Sequence, residues 1–307
     1  MYRKIMGFLE AWKENEHRKP LILQGARQVG KTYSILEFGR IHYENVAYFN
    51  FETNPKLNET FEEKISPDYL IPILSHIAGQ TIVKEKTLIV FDEVQLCERA
   101  LTSLKYFCED APDYHIIVAG SLLGVAVNRA KFSFPVGKVD MKTLYPMDME
   151  EFMIAVGEDE LVEQIKKCFE TNRPMPSALH DAAMQLYRQY LVVGGMPECV
   201  MQFVQTGDYI LIRHTQDTIL TSYLNDMSKY NNLNEIKKTR LAYDNITVQL
   251  SKKNTRFQYK LIKKGGRASE FENAIEWLCL SGIVSQVYRV EQIKKPLENY
   301  RDIDAFK

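Results

Sequence analysis

The chain has 307 residues, which is enough for about two domains with a large hydrophobic core. Its 39 basic and 40 acidic residues give a net charge of −1, so the chain as a whole is not attracted to nucleic acid or to an anionic membrane. A partner of either kind would require a local basic patch.

Cysteine usage and the N-terminus predict a soluble protein of the cytoplasm. The five cysteines are far apart and form no C-x-x-C pair, so the sequence indicates neither a zinc site nor a disulfide framework. Free thiols suit a reducing compartment. Residues 1–20 lack the apolar core of a secretory signal, and no apolar run approaches the roughly 18 residues of a membrane span. We therefore expect a cytoplasmic location and no membrane partner.

Residues 20–145 alternate short β-rich runs with helical patterns. This alternation is typical of a parallel sheet with crossover helices, and hence of an α/β fold with helices on both faces of the sheet. Leu101, Leu104 and Cys108 share one helical face, as a crossover connection requires. The candidate strands cover residues 21–24, 46–51, 87–92, 115–120 and 139–144.

Residues 25–32 read GARQVGKT and fit the pattern G-x-x-x-x-G-K-[ST]. From average residue usage, a chance match somewhere in this chain has a probability of about 1%. The run LILQ before the motif is typical of a strand, and TYSILEFG after it is typical of a helix that ends near Gly39. Phosphate-binding loops occupy such a strand-to-helix position. The alternative is a glycine-containing turn with an exposed lysine.

The loop predicts a site for ATP or ADP. Successive backbone N–H groups would surround the phosphates, aided by the positive end of the following helix. Lys31 would reach the β- and γ-phosphate oxygens, and the Thr32 hydroxyl would coordinate Mg²⁺. The predicted nucleotide-binding residues are Gly25, Ala26, Arg27, Gln28, Val29, Gly30, Lys31 and Thr32.

A second element, TLIVFDEVQ, supplies carboxylates. Its four consecutive apolar residues, 88–91, predict a strand that is buried on both faces and ends at Asp92. Ligands of open α/β sheets bind at this end of the strands. We expect Asp92 to bind Mg²⁺, through a water molecule, and Glu93 to activate the attacking water. Taken alone, an apolar run that ends in Asp-Glu is common, and only the loop 60 residues earlier gives it this meaning.

A third element is HIIVAGSLLG at residues 115–124. A strand next to the Asp-Glu strand would place Ser121 near the γ-phosphate, where its hydroxyl could hold the attacking water or sense hydrolysis. The alternative is an ordinary serine between a strand and a loop.

After about Pro146 the β-branched runs disappear. The segments 150–170, 177–195 and 208–227 have helical patterns, which Gly194, Gly195 and Pro197 interrupt. Residues 229–295 show two amphipathic helices and then IVSQVYRV at 283–290, which predicts a strand. Helices followed by a strand are compatible with a small winged helix-turn-helix.

The segments GARQVGKT, LIVFDEVQ, VAGSLLG and PMDMEEF resemble those of bacterial and archaeal AAA-like P-loop ATPases whose C-terminal half is a domain of unknown function. The likeness continues through YLVVGGMPECV and RFQYKLIKKGGRASEFENAIEWL, and it covers nearly the whole chain. It implies an ATPase core in which Asp92 binds Mg²⁺, Glu93 is catalytic and Ser121 is a sensor. The domains it implies are an AAA-like ATP-binding domain at 1–148, a helical lid region at 149–228 and a winged-helix-like region at 229–307.

The chain departs from these relatives at two places. Relatives often carry an arginine where this chain reads FPVGKVDM, with Lys138 in the segment and Arg129 nearby, so the arginine finger is unassigned. A finger supplied by a neighbouring subunit would require a homo-oligomer, which the sequence leaves open. Relatives also continue beyond the point where this chain stops, so we expect a truncated C-terminal region.

Residues 229–295 hold a local excess of positive charge, with 14 Lys or Arg and 6 Asp or Glu. Much of it lies in SKKNTRFQYKLIKKGGR at 251–267, where Phe257 and Tyr259 stand among the basic residues. This composition suits contacts with DNA phosphates. The alternatives are a solvated basic face, or a surface that docks on acidic segments such as 52–68.

The function that the sequence favours is Mg²⁺-dependent ATP binding and hydrolysis by an AAA-like protein that acts on DNA or remodels a partner. The alternative is a nucleotide-gated adaptor that binds DNA or protein with little turnover. Glu93 favours hydrolysis, because a binding switch does not need a carboxylate that activates water.

Overall fold

A computed structural model describes residues 1–121, 134–230, 233–253 and 256–307. The chain divides into two compact units, Met1–Thr218 and Ile219–Lys307. The predicted domain boundaries at residues 148 and 228 stay predictions. No helix of the described residues is long and apolar enough to cross a membrane.

The first unit is built on a five-stranded parallel sheet with the strand order β2-β3-β4-β1-β5. The predicted α/β sheet is confirmed, and each strand lies within one residue of its predicted start and end. Its strands are β1 Leu21–Gly25, β2 Asn45–Asn50, β3 Thr87–Asp92, β4 His115–Ser121 and β5 Asp140–Leu144.

Helices cover both faces of this sheet. On one face, Ile89 and Phe91 of β3 pack in a buried cluster with Phe61 and Leu104 from the helices. On the other face, α2 lies against Val46 and Leu88. The helices of this part are α1 Ile5–Glu14, α2 Lys31–His42, α3 Leu57–Glu63, α4 Pro67–Ala78 and α5 Glu98–Asp110.

The expectation that α2 ends near Gly39 is wrong. The helix continues to His42, and the backbone N–H of Tyr43 bonds to the Gly39 carbonyl. A Cβ atom on Gly39 would lie 2.5 Å from Cγ2 of Val46 and 3.1 Å from Cδ2 of Leu88. The glycine therefore allows α2 to approach the sheet closely, and that packing contact outweighs its low helix propensity.

The next four helices after β5 are α6 Met149–Ala155, α7 Asp159–Glu170, α8 Ser177–Val193 and α9 Pro197–Thr206. The predicted interruption at Gly194, Gly195 and Pro197 separates α8 from α9. A Cβ atom on Gly195 would lie 2.1 Å from the Met147 carbonyl oxygen, so the turn needs a glycine there. Helix α10, Tyr209–Tyr230, contains the boundary between the two units.

The second unit contains α11 Leu233–Leu250 and α12 Ala268–Leu280, and its antiparallel pair joins β6 Tyr288–Val290 to β7 Arg301–Phe306. Ala242, Phe271 and Leu278 belong to its buried cluster. The strand predicted at 283–290 forms only over its last three residues. The N–H groups of Ile283 and Val284 bond to the Leu278 carbonyl instead, and so close the end of α12. The winged helix stays a prediction.

His115 is a buried histidine at the start of β4. Its Nδ1 lies 2.7 Å from the Tyr43 hydroxyl, and its Nε2 has no hydrogen-bond partner among the described residues. Burial, with smaller contributions from the charges of Arg18 and Lys13 and against the opposing influence of Asp113, lowers the pKa of His115 from 6.5 to about 4. The folded unit therefore holds this ring neutral.

We expect the free energy of unfolding to fall as the pH drops from 6.5 towards 4, because there the unfolded chain binds a proton that folded His115 does not. The full contribution is about 3 kcal/mol. Gln at this position keeps a partner for Tyr43 but does not titrate, so the pH dependence of His115→Gln should be shallower. Urea unfolding followed by Trp12 fluorescence in a Trp277→Phe background measures it. Equal pH dependence in both proteins would contradict this assignment.

Candidate functional site

The GARQVGKT loop joins β1 to α2, as the sequence predicts. Gly30 has φ 88° and Gln28 has φ 62°, both in the left-handed region. A Cβ atom on Gly25 would lie 2.3 Å from the Leu144 carbonyl oxygen, which requires glycine at the start of the loop. The side chains of Ala26 and Val29 are buried and anchor the loop in the protein. Their contribution to a ligand is therefore limited to the backbone.

Lys31 lies at the first position of α2 with its ammonium group folded onto the loop. Its Nζ donates to the carbonyl oxygens of Gly25, at 3.0 Å, and Ala26, at 2.8 Å. Burial lowers the pKa of Lys31 to about 8, against the opposing influence of Glu93 and Asp92. The lysine is thus held where a phosphate could replace the two carbonyl groups as its partner.

Asp92 and Thr32 are in direct contact, although 60 residues separate them. The Thr32 hydroxyl donates to Oδ2 of Asp92 at 2.9 Å, and the Tyr48 hydroxyl donates to the same oxygen at 2.7 Å. The N–H of Glu93 donates to Oδ1 at 3.0 Å. Burial, together with the Asp92 carboxylate, raises the pKa of Tyr48 to about 12, so this phenol stays a donor. The two predicted Mg²⁺ residues thus form one oxygen-rich site.

Glu93 stands immediately after β3 in a strained conformation. Its φ of 53° lies in the left-handed region, which costs a non-glycine residue about 1–3 kcal/mol. Gln95 donates a short hydrogen bond to its carboxylate. Such strain is found disproportionately at functional sites, and here it turns Glu93 out of the line of the strand.

One cavity of about 450 Å³ brings most of the predicted residues together. Ser121 reaches it from the end of β4, where it pairs in register with Gly25. The predicted residues that line the cavity are Arg27, Gln28, Gly30, Lys31, Thr32, Glu93 and Ser121. Asp92 is not among the lining residues, but its carboxylate accepts the hydrogen bond of the Thr32 hydroxyl. The size is within the range of small-molecule sites, roughly 300–1,000 Å³.

Helix α9 also lines this cavity, a contribution that the sequence did not indicate. Pro197, Glu198 and Met201 line it, together with Met1 and Tyr33. The sequence signal was the interruption GGMP before α9, which we interpreted only as a helix break.

Arg3 is a further residue whose place at the site the sequence did not indicate. It is 5% exposed, lines the cavity and donates to the Val29 carbonyl of the loop at 2.8 Å. Its Nε bonds to the Glu151 carboxylate at 3.2 Å. The sequence held a weak signal only for its partner, Glu151. Asp148 and Glu151 have the spacing of a helix capping box, which the structure shows at the start of α6.

The unassigned arginine finger is not located. Arg129 lies outside the described residues. Lys138 forms an ion pair with Glu109 at 2.9 Å, and this partner raises the pKa of the lysine.

Two family models match the sequence. Residues 17–153 match the AAA domain, and residues 184–307 match a domain of unknown function, DUF8612. The first match contains the loop, Asp92, Glu93 and Ser121. Residues 17–153 are an AAA domain. The predicted resemblance to AAA-like P-loop ATPases with a C-terminal domain of unknown function is confirmed.

A solved structure agrees with this assignment at the level of fold, and others resemble the chain more distantly. A Walker-type ATPase of Pyrococcus abyssi matches with a TM-score of 0.56 and 14% identity, over 100% of this chain and 92% of that chain. The Holliday junction branch migration motor RuvB of Thermotoga maritima gives a TM-score of 0.39 and 14% identity, over 92% and 88% of the two chains. The Aeropyrum pernix ORC1 protein in complex with DNA gives 0.36 and 13%, over 99% and 86%. No curated protein matches the sequence.

Proposed function

We propose that the AAA domain binds ATP with Mg²⁺ and hydrolyses it. The observation that carries the proposal is the 2.9 Å hydrogen bond between Thr32 and Asp92, beside a cavity that also contains Lys31, Glu93 and Ser121. A hydroxyl and a carboxylate side by side form the hard oxygen donor set that Mg²⁺ prefers.

Within this proposal the loop binds the phosphates. Its backbone N–H groups and the N-terminus of α2 favour negative charge, and Lys31 exchanges the carbonyls of Gly25 and Ala26 for phosphate oxygens. Thr32 and Asp92 would hold Mg²⁺, which neutralises charge on the phosphates. The apolar side chains of Met1, Pro197 and Met201, which also line the cavity, suit contact with a nucleobase.

Glu93 takes the role of the base that activates water. Its carboxylate would accept a proton as water attacks the γ-phosphorus, and Gln95 would hold it in position. Ser121 would orient the same water. Residues 149–228 would act as a lid over the site, and a homo-oligomer would supply the missing arginine finger.

The alternative function is a nucleotide-gated adaptor with little turnover. Calorimetric titration of the full chain with a non-hydrolysable ATP analogue, with Mg²⁺ and with EDTA, tests the part that both functions share. We expect tighter binding with Mg²⁺. Absence of binding under both conditions would contradict both functions. A separate measurement of phosphate release from ATP distinguishes them, because binding without release in assembled protein would support the adaptor.

The second unit supports a further proposal, an interface with DNA through residues 229–295. The segment between α11 and α12 carries a set of exposed basic side chains, which are Lys252, Lys253, Lys260, Lys264 and Arg267. Exposed cations close together along one segment can contact successive phosphates, and such contacts release counterions.

We expect the full chain to bind duplex DNA with an affinity that falls linearly on a log–log plot against salt concentration. Replacing Lys260 and Lys264 by Ala should reduce the slope by about 2, since each phosphate contact contributes about 0.9. The matched control replaces Lys56 and Lys64 by Ala, because both lysines are exposed and lie outside residues 229–295. No binding at low salt, or binding that salt does not weaken, would contradict the proposal.

A further inference from the structure

Arg3 joins three parts of the first unit that lie far apart in sequence. Its guanidinium donates to the Val29 carbonyl of the loop at 2.8 Å, to the Tyr145 carbonyl after β5 at 2.7 Å, and to the Glu151 carboxylate of α6 at 3.2 Å. The planar fork of arginine suits this task, because its donors point in fixed and different directions. A lysine could not satisfy all three acceptors from one position.

The contact with Val29 reaches the phosphate-binding backbone directly. The Val29 carbonyl and the Gly30 N–H belong to one peptide group, so a cation on the oxygen makes the N–H a stronger donor. Gly30 is also close to Arg3, since a Cβ atom there would lie 3.6 Å from Nη1. Arg3 therefore places positive charge directly against the loop backbone.

The contact with Glu151 extends this connection into the helices. The Glu151 carboxylate also accepts from the backbone N–H groups of Lys4, at 2.7 Å, and Asp148, at 3.2 Å, so its position is fixed from several sides. The next residue, Phe152, stacks on Phe203 of α9 with ring centroids 5.8 Å apart.

The chain of contacts therefore begins at the loop and ends in α9, a helix that lines the same cavity. Both ends of this connection lie where a nucleotide would bind. A ligand that changes the position of the loop backbone must either move Arg3 and α6 with it or break hydrogen bonds of a buried charge, which is costly.

We propose that Arg3 is a positioning residue that couples occupancy of the phosphate loop to the placement of α6 and α9. This inference rests on the proposed nucleotide binding and adds the residue that transmits it. The neighbouring Lys4 offers a natural comparison. Its ammonium pairs with Asp148 at 2.7 Å and Glu150 at 2.6 Å, but its side chain is 42% exposed. Those pairs do not involve the loop.

The experiment compares wild type with Arg3→Lys, Glu151→Gln and the control Lys4→Met, at a temperature where thermal unfolding shows all four to be folded. Affinity for a non-hydrolysable ATP analogue with Mg²⁺ should weaken about 5- to 20-fold in Arg3→Lys and Glu151→Gln and stay near wild type in Lys4→Met. The second measurement is hydrogen exchange of residues 149–155 with saturating analogue. Wild type and Lys4→Met should show slower exchange on binding, and the other two should not.

Either of two results would overturn the inference while leaving nucleotide binding intact. One is a wild-type affinity in Arg3→Lys and Glu151→Gln. The other is slowed exchange of residues 149–155 in those variants once nucleotide is saturating, because a residue with only a structural role would leave that response unchanged. If wild type itself binds no analogue, the proposed function fails, and the coupling through Arg3 fails with it.

Discussion

Replacing Glu93 with Gln is expected to lower steady-state ATP turnover by about 100- to 10,000-fold, the range for loss of a general base. Affinity for ATP with Mg²⁺ should stay close to that of wild type, because Gln has nearly the same shape and Asp92 and Thr32 are unchanged. Turnover should fall while affinity does not, because the substitution removes only the ability to accept a proton. Gln can accept a hydrogen bond from water, but it cannot take the proton as the water attacks.

The matched control is Glu98→Gln, which removes a carboxylate five residues further along, at the start of α5. Its turnover should remain near wild type. Phosphate release at saturating ATP gives the turnover of all three proteins, and calorimetry gives their affinities. Equal turnover in wild type and Glu93→Gln would remove Glu93 from the mechanism and leave its strained backbone without a catalytic explanation.

Replacing Lys31 with Ala is expected to weaken binding of ATP with Mg²⁺ by about 10- to 150-fold, which corresponds to the loss of charged hydrogen bonds worth roughly 1.5–3 kcal/mol. The ammonium now bonds to the carbonyl oxygens of Gly25 and Ala26, so it is already in place beside the loop. Its loss removes the cation next to the phosphates and leaves the loop backbone intact. Thermal stability should therefore change little.

The control for this prediction is Lys56→Ala, since Lys56 is exposed before α3. It should bind the nucleotide as wild type does. Calorimetric titration with the non-hydrolysable analogue measures all three affinities. An unchanged affinity in Lys31→Ala would place the nucleotide elsewhere and contradict the site described above.

The phosphate loop and the strands could be predicted because their signals are contiguous in sequence. GARQVGKT needs eight adjacent residues, and the four apolar residues before Asp92 identify a buried strand without any knowledge of its neighbours. The resemblance to AAA-like ATPases then linked these elements. The strand order β2-β3-β4-β1-β5 and the hydrogen bond of Tyr48 to Asp92 depend on packing between distant segments.

The parts that sequence did not reveal are tertiary contacts. Arg3 and Glu151 are 148 positions apart, and neither residue type nor its spacing indicates a partner at that separation. Gly39 misled the interpretation of α2 because a glycine that ends a helix and one that permits close packing on a sheet have the same sequence signal. The interruption at Gly194, Gly195 and Pro197 predicted a break between helices, but not that Pro197 lines the cavity beside the loop.

The most direct test of the central claim is phosphate release from ATP by the full wild-type chain, measured with Mg²⁺, with EDTA, and with Lys31→Ala in place of wild type. The proposed site predicts release that requires Mg²⁺ and falls to background in Lys31→Ala. Release that continues equally in EDTA or in Lys31→Ala would contradict the claim that this loop and its Thr32–Asp92 pair form the catalytic site.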